Sequence, residues 1–304
     1  MAKFIIKRVL AAVFTLFVVC TLTFFLMNMI PGGPFLSEKT SARTLEIVNE
    51  KYGLDKPLFE QYLNYMGRLL KGDLGVSFKK QGFTVNQIIA KSFPVSAGLG
   101  GIAILWSLAL GLPLGVLAAM RRNHVSDRIV MFVCTLGISV PSFVIGGTLM
   151  YFIVEQLGLV SGIGLNSPSS YILPVLTLSF SPMSYIARLV RSTMLDVIGQ
   201  DYIKTARAKG LSNFKVIFKH TMRNTLIPVI TYLGPMTAGV LTGGFVVERI
   251  FSIPGLGRYF IDAISNRDYP MIMGTTIFFA AILIVANLIV DILYCVVDPR
   301  IKFE

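Results

Sequence analysis

The sequence predicts an all-α integral membrane protein with six transmembrane helices and a small helical extracytoplasmic subdomain between the first two. Three observations carry this. Of 304 residues, 54% are hydrophobic and only 14% charged, whereas soluble domains carry about 25% charged residues. Apolar stretches near the ~17–25 residues that a spanning helix needs recur six times. Lys and Arg gather on the segments at one side of those stretches.

The N-terminus begins with Lys3, Lys7 and Arg8, and a charge-free run over residues 9–30 follows. A signal peptide has an apolar core of only about 7–15 residues and a small-x-small cleavage site. This run is longer and ends in Met29-Ile30-Pro31-Gly32-Gly33-Pro34, so an uncleaved first span is expected. Residues 31–94 form the largest polar segment, with amphipathic pieces at 44–52 and 56–70. In the second piece Leu58, Phe59, Tyr62, Leu63, Met66, Leu69 and Leu70 recur at helical spacing. Gly72 is placed to cap that helix, and Thr84 to N-cap a third one running to Phe93. Nine basic against six acidic residues give this segment a solvated surface.

Five further spans are expected at about 96–120, 129–154, 171–187, 226–247 and 271–297. An even number puts both termini on one side, and charge decides which. One face carries 16 basic against five acidic residues, the other 12 against 10. The basic face is therefore read as cytoplasmic. The spans are rich in Gly and Pro, including Gly111, Pro113, Gly115, Pro141, Pro182, Gly234 and Pro235. Small residues let helices pack closely in lipid, and prolines are tolerated where neighbours or water satisfy the freed carbonyls. A bundle around a moving pathway and ordinary close packing both fit that pattern.

Several chemistries are missing from the sequence. There is no GxxxxGK[ST] to cradle a nucleotide triphosphate, and no HExxH or GxSxG. Cys20, Cys134 and Cys295 lie in apolar runs without a CxxC pair, and His124 and His220 are isolated, so neither a disulfide framework nor a metal site is expected. Asp291 is the clear intramembrane charge, with Asn287 one turn earlier on the same face. These two are candidate pathway or structural polar residues. A secondary carrier usually has a denser set of midplane polar groups, so energy for uphill transport would have to come from a partner at the basic face.

Residues 201–228, DYIKTARAKGLSNFKVIFKHTMRNTLIP, are the stretch fitted to meet such a partner. They read as a short helix from Asp201, a break at Gly210 and a second amphipathic helix from about Ser212, with Phe214, Val216, Ile217 and Phe218 on or near one side. Lys204, Arg207, Lys209, Lys215, Lys219 and Arg223 face one carboxylate, Asp201. Acidic lipid, nucleic acid and a protein groove are all open as partners at this point.

The loop resembles the EAA loop of ABC-importer membrane subunits. Aligned on Gly210, Lys204, Thr205 and Ala206 fall at the E-A-A positions, where only Ala206 agrees, and the later Ile and Pro fall on His220 and Arg223. Those departures are typical of the peptide-permease branch. Its D-Y-x-x-T-A-x-A-K-G pattern matches residues 201–210, and H-x-x-R-N-x-x-x-P matches 220–228. The likeness to the B-type subunit of oligopeptide and dipeptide importers, a binding-protein-dependent type I permease, covers nearly the whole chain. It includes TFFLMNMIPGGPF at the end of the first span, YGLDKPLFEQY at 52–62, GDLGVS at 72–77 and GISVPSF at 137–143. ERIFSIPGLGRYFIDAISNRDYP at 248–270 and DPR at 298–300 complete it.

This resemblance implies a multi-pass protein of the bacterial cytoplasmic membrane, with both termini cytoplasmic. Residues 1–95 would hold the first span and the extracytoplasmic segment, and 96–304 a five-helix core with a cytoplasmic coupling loop at 188–226. Its partners would be a second homologous permease subunit, two ATP-binding subunits, an extracytoplasmic peptide-binding protein and membrane lipid, with no nucleic acid. ATP and Mg would sit on the partner subunits, and this chain would bind no cofactor, hold no metal and catalyse nothing. Tyr202, Thr205, Ala206, Lys209 and Gly210 are the expected ATPase-coupling residues. Residues 248–270 would face the binding protein or cap the pathway, or else serve as a packed connector. Nickel importers share the architecture, so peptide and nickel both stay open as cargo. A solitary carrier or membrane enzyme is the competing class.

Overall fold

In a computed structural model, residues 2–31, 33, 35, 50, 52–80, 82–160, 164–165 and 167–297 are described. The DPR motif at 298–300 and most of the amphipathic piece at 44–52 lie outside them, as does the side chain of Cys295. The helices are α1 (Ala2–Met29), α2 (Leu58–Leu70), α3 (Val85–Met120), α4 (Val125–Ser139), α5 (Ser142–Gln156), α6 (Ile172–Ile198), α7 (Asp201–Ala208), α8 (Asn213–Ile250), α9 (Leu256–Asn266) and α10 (Tyr269–Val297). Among the described residues there is no strand, only an isolated bridge between Val76 and Thr84. Among the described residues five helices are long and apolar enough to cross a bilayer, and the bent pair α4–α5 makes a sixth crossing if counted as one span.

Four spans differ from the sequence reading; the fifth is continuous with the helix expected from about Ser212, the two forming α8. The third is not straight: α4 and α5 meet at 104° across Val140 and Pro141, because Pro141 has no N–H to continue the ladder. The second begins at Val85, so the expected separate helix over 84–93 is the first part of α3, and Pro94 does not interrupt it. Thr84 caps this start as expected. Its Oγ1 accepts from Gln87 N at 3.2 Å while Gln87 Oε1 accepts from Thr84 N at 3.0 Å, a capping box. The fourth span continues past 187 to Ile198 and takes Arg188 and Arg191 out of the expected loop and into α6.

The chain divides into two compact units, residues 1–95 with 255–284, and 96–254 with 285–304. In the first, Phe24 of α1, Tyr65 of α2, Val85 and Ile88 of α3, Leu256 of α9 and Ile272 of α10 share one core. α2 ends where Gly72, at φ +74°, donates to Leu69 O and Asp73 donates to Arg68 O, the Schellman pattern. The loop that follows is held by buried Asp268. Its carboxylate accepts a short hydrogen bond from Ser77 Oγ, and bonds from Phe78 N at 3.0 Å and Met271 N at 3.4 Å. Two motifs 190 residues apart, GDLGVS and NRDYP, are thus one knot that also caps α10.

In the second unit α6 is the central helix, with contacts to α4, α5 and α8 and along α3. A Cβ at Gly115 of α3 would lie 2.6 Å from Ala187 O and from Val190 Cβ of α6. Only glycine permits that approach, and in lipid close packing supplies much of the attraction between helices. Cys20 and Cys134 are buried free thiols.

Asp268→Ala removes the acceptor from buried donors, each costing about 1–3 kcal/mol when orphaned. A lower thermal midpoint and faster proteolysis within residues 71–84 are expected; an unchanged melting curve would show that Asp268 does not hold the loop.

Candidate coupling site

The two turns of α7 begin at Asp201, whose carboxylate pairs with Lys204 at 2.9 Å and whose carbonyl accepts from Thr205 Oγ1 at 2.9 Å. Ile203 and Ala206 point the other way. They are buried with Val216, and Val197 and Leu211 pack against them. The helix stops at Gly210, where φ is +75°. Gly210 N donates to Arg207 O at 2.9 Å and Leu211 N to Ala206 O at 3.3 Å, a second Schellman close with Leu211 as its apolar clip. Ser212 Oγ then accepts from Lys215 N to start α8.

The first turns of α8 are widened. Residues Val216–Thr221 are π-helical, with Thr221 Oγ1 donating to Val216 O five residues back at 3.1 Å. Val216, Ile217, Thr221 and Thr225 are buried, and Ile217 packs with Ala119 and Met194. Phe214 and Phe218 are 68% and 59% exposed, with ring centroids 4.4 Å apart. The four apolar residues expected together on or near one side therefore divide between an inner pair and an outer pair. Asn224 Nδ2 donates to Tyr202 Oη at 2.7 Å and ties α7 to α8. The result is a compact helix–Gly–helix knob with its own small core.

The structure brings Tyr202, Thr205, Lys209 and Gly210 to the exposed side of the knob. It places Ala206 in the core beneath them, where a methyl is what fits between Ile203 and Val216. Phe214 and Phe218, also exposed, become part of the candidate surface. The i, i+4 spacing of the two aromatics was visible in the sequence, and their separation from Val216–Ile217 was the signal to use.

An ion pair between a buried carboxylate and a partly exposed guanidinium also supports this end of the second unit. Asp127 accepts from Arg191 Nε at 2.6 Å and Nη2 at 2.8 Å, and from Asn123 N at 2.9 Å. It links α4 to α6 beside Arg188, whose Nη2 donates to Thr135 at 2.8 Å. Read as loop charges, these residues gave no sign of pairing across 64 positions. Asn287 of α10 lies against Gly234 of α8, where any Cβ would collide with its carboxamide, and Asp291 is half-buried one turn on. Asn287 thus belongs to an α8–α10 packing contact at Gly234, apart from the knob. Among the described residues no group of three or more His, Cys, Asp or Glu could hold a metal ion.

Residues 111–303 match the family described as the binding-protein-dependent transport system inner membrane component, and residues 1–100 match its N-terminal component. The chain belongs to this permease family. It is 47% identical over its whole length to the dipeptide transport system permease protein DppB of Bacillus subtilis, covering 99% of that protein. Identity is 46% over 99% of this chain to DppB of Lactococcus lactis, and 40% end to end to the oligopeptide permease OppB of Salmonella typhimurium. Two inward-facing structures of the MetNI methionine ABC transporter match with TM-scores of 0.55 and 0.57 at 17% identity, over 69% of this chain and 96% of the matched one. The fold is that of a type I ABC importer permease.

In a permease with this packing, Asp127→Ala leaves a guanidinium without its bidentate partner. A stability loss of about 1–3 kcal/mol is expected, reduced by the partial exposure of Arg191. The double variant Asp127→Ala/Arg191→Met should lose less than the two single losses together; strict additivity in thermal unfolding would mean the pair is not coupled.

Proposed function

We propose that this chain is one membrane subunit of an ATP-driven peptide importer and forms half of its translocation pathway. The observation that carries this reading is the end-to-end identity of 40–47% to permeases named for dipeptides and oligopeptides. The second half would come from a homologous subunit, ATP and Mg from two ATPase subunits, and peptide from an extracytoplasmic binding protein. Both termini and the knob would face the cytoplasm, as the excess of Lys and Arg on that side supports. Residues 1–95 would then be the first span with its outer segment, and 96–304 the core with the coupling loop at 188–226.

In this reading the exposed Tyr202, Thr205, Lys209, Phe214 and Phe218 dock in a groove of the ATPase. Ala206 and Gly210 set the shape of the knob: Ala206 by closing its core, Gly210 by turning the chain. The Tyr202–Asn224 bond makes α7 and the start of α8 move together, so a push on the knob reaches α8 as a rigid displacement. Asn287 acts structurally, through packing on Gly234. The pathway wall is read at a cavity of about 250 Å³ in the second unit, lined by Pro141, Ser142, Ser181, Pro182, Tyr232 and Pro235. Prolines strip helical donors from carbonyls, and within a bilayer such backbone is tolerated where it is buried in protein or lines a wet cavity.

Deleting the gene should abolish uptake of labelled di- to pentapeptides, with excess unlabelled peptide competing in the wild type and nickel not. Competition by nickel alone would transfer the reading to a metal importer. Within the complex, Phe214→Ala/Phe218→Ala and Gly210→Val should abolish uptake while the chain still inserts. Full transport by both variants would sink the docking assignment but leave the peptide reading intact.

A further inference from the structure

Helix α2 carries three stripes of different character. Tyr62, Tyr65, Met66 and Leu69 turn inward to the core of the first unit. Glu60, Asn64, Arg68 and Lys71 form an exposed polar stripe, extended by the Lys56–Glu60 ion pair at 2.6 Å. Between them lies a third stripe of Phe59, Leu63 and Leu70, which are 67%, 53% and 87% exposed. A helix that simply sits on a solvated subdomain has no use for three large exposed apolar side chains on one line, with every charge kept off it.

The depth of α2 beside α1 indicates what covers that line. Tyr62 Oη and Thr21 Oγ1 are hydrogen-bonded at 2.9 Å. The Tyr62 ring stacks on Phe25, and that of Tyr65 on Phe24, each at 5.4 Å between centroids. Tyr62 and Tyr65, a turn apart on α2, both meet Phe24, as expected of a helix that crosses α1. Thr21 precedes the last residue of α1, Met29, by about 12 Å of helix rise, and Phe25 by about 6 Å. The contacts with α2 thus fall about 6–12 Å inside the end of an apolar run that spans one bilayer, a range that takes in the 5–10 Å depth where amphipathic interfacial helices rest.

We propose that α2 is an in-plane membrane helix. Phe59, Leu63 and Leu70 are immersed in the acyl chains of the leaflet at the C-terminal end of α1, and Glu60, Asn64, Arg68 and Lys71 stand at the headgroups and the water above. The occupant of the apolar stripe is lipid. In the topology proposed above this is the outer leaflet, so part of the polar segment between the first two spans is seated in the membrane instead of standing clear of it. The inference rests on α1, α2 and their contacts and does not depend on the cargo.

The chain has a single tryptophan, Trp106, which gives a clean fluorescence test. In a Trp106→Phe background, the full-length chain bearing Phe59→Trp or Leu63→Trp is reconstituted in bilayers of phosphatidylcholine brominated at carbons 6 and 7. Both variants should emit at short wavelength and lose most of their emission to bromine, while aqueous iodide leaves them nearly unchanged. Asn64→Trp on the polar stripe should give the opposite result, strong iodide quenching and little loss to bromine. Two outcomes overturn the proposal: iodide quenching of positions 59 and 63 as strong as at 64, which would put the stripe in water, and indifference of both positions to bromine and iodide, which would put a protein surface over it. The second position keeps the test decisive if one substitution fails to fold, and loss of peptide uptake by the deletion strain is scored separately.

Discussion

The second unit depends on how closely α3 can approach α6. Lipid tails are as apolar as the side chains, so helices in a bilayer gain little from hiding hydrophobic surface from one another. What remains is van der Waals contact, and it grows as backbones come together. At Gly115 the gap to Ala187 and Val190 leaves no room for a Cβ. α6 is thereby fixed as the helix on which the others are placed, and its buried residues, from Leu173 to Met194, follow from that position. The Asp127–Arg191 pair then joins α4 to the end of α6 just ahead of the knob.

Much of this was legible in the sequence. Apolar length gave the approximate place of the spans, because a helix must satisfy its backbone internally to cross hydrocarbon. The stops at Gly72 and Gly210 were readable because both need a left-handed residue, which glycine adopts without strain. Thr84 was readable because threonine is a favoured N-cap residue. The family was readable from an ordered series of motifs along the chain.

Direction and distance were not legible. A run such as 129–154 has the same hydropathy whether it is straight or turns through 104° at Pro141, while Pro94, which looks equally disruptive, lies within an unbroken helix. Ala206 was expected among the coupling residues, yet the helical turn carries it to the side of Ile203, into the knob's core. Ser77 with Asp268 and Asp127 with Arg191 are pairings between distant segments. No local pattern announces them, since each residue alone has the composition of an ordinary loop or helix end.

The length of α8 gives the knob a mechanical property. Asn213–Ile250 is one helix of 38 residues, about 57 Å from end to end at 1.5 Å per residue. The Tyr202–Asn224 bond and the small apolar core fasten the knob to one tip of that helix, so in the importer proposed above it would serve as a handle. A tilt of about 5° applied there displaces the far tip by about 5 Å on simple rod geometry, roughly one helical turn. In the proposed importer a small rotation at the knob would thus be amplified along α8 into a movement the size of an amino-acid residue.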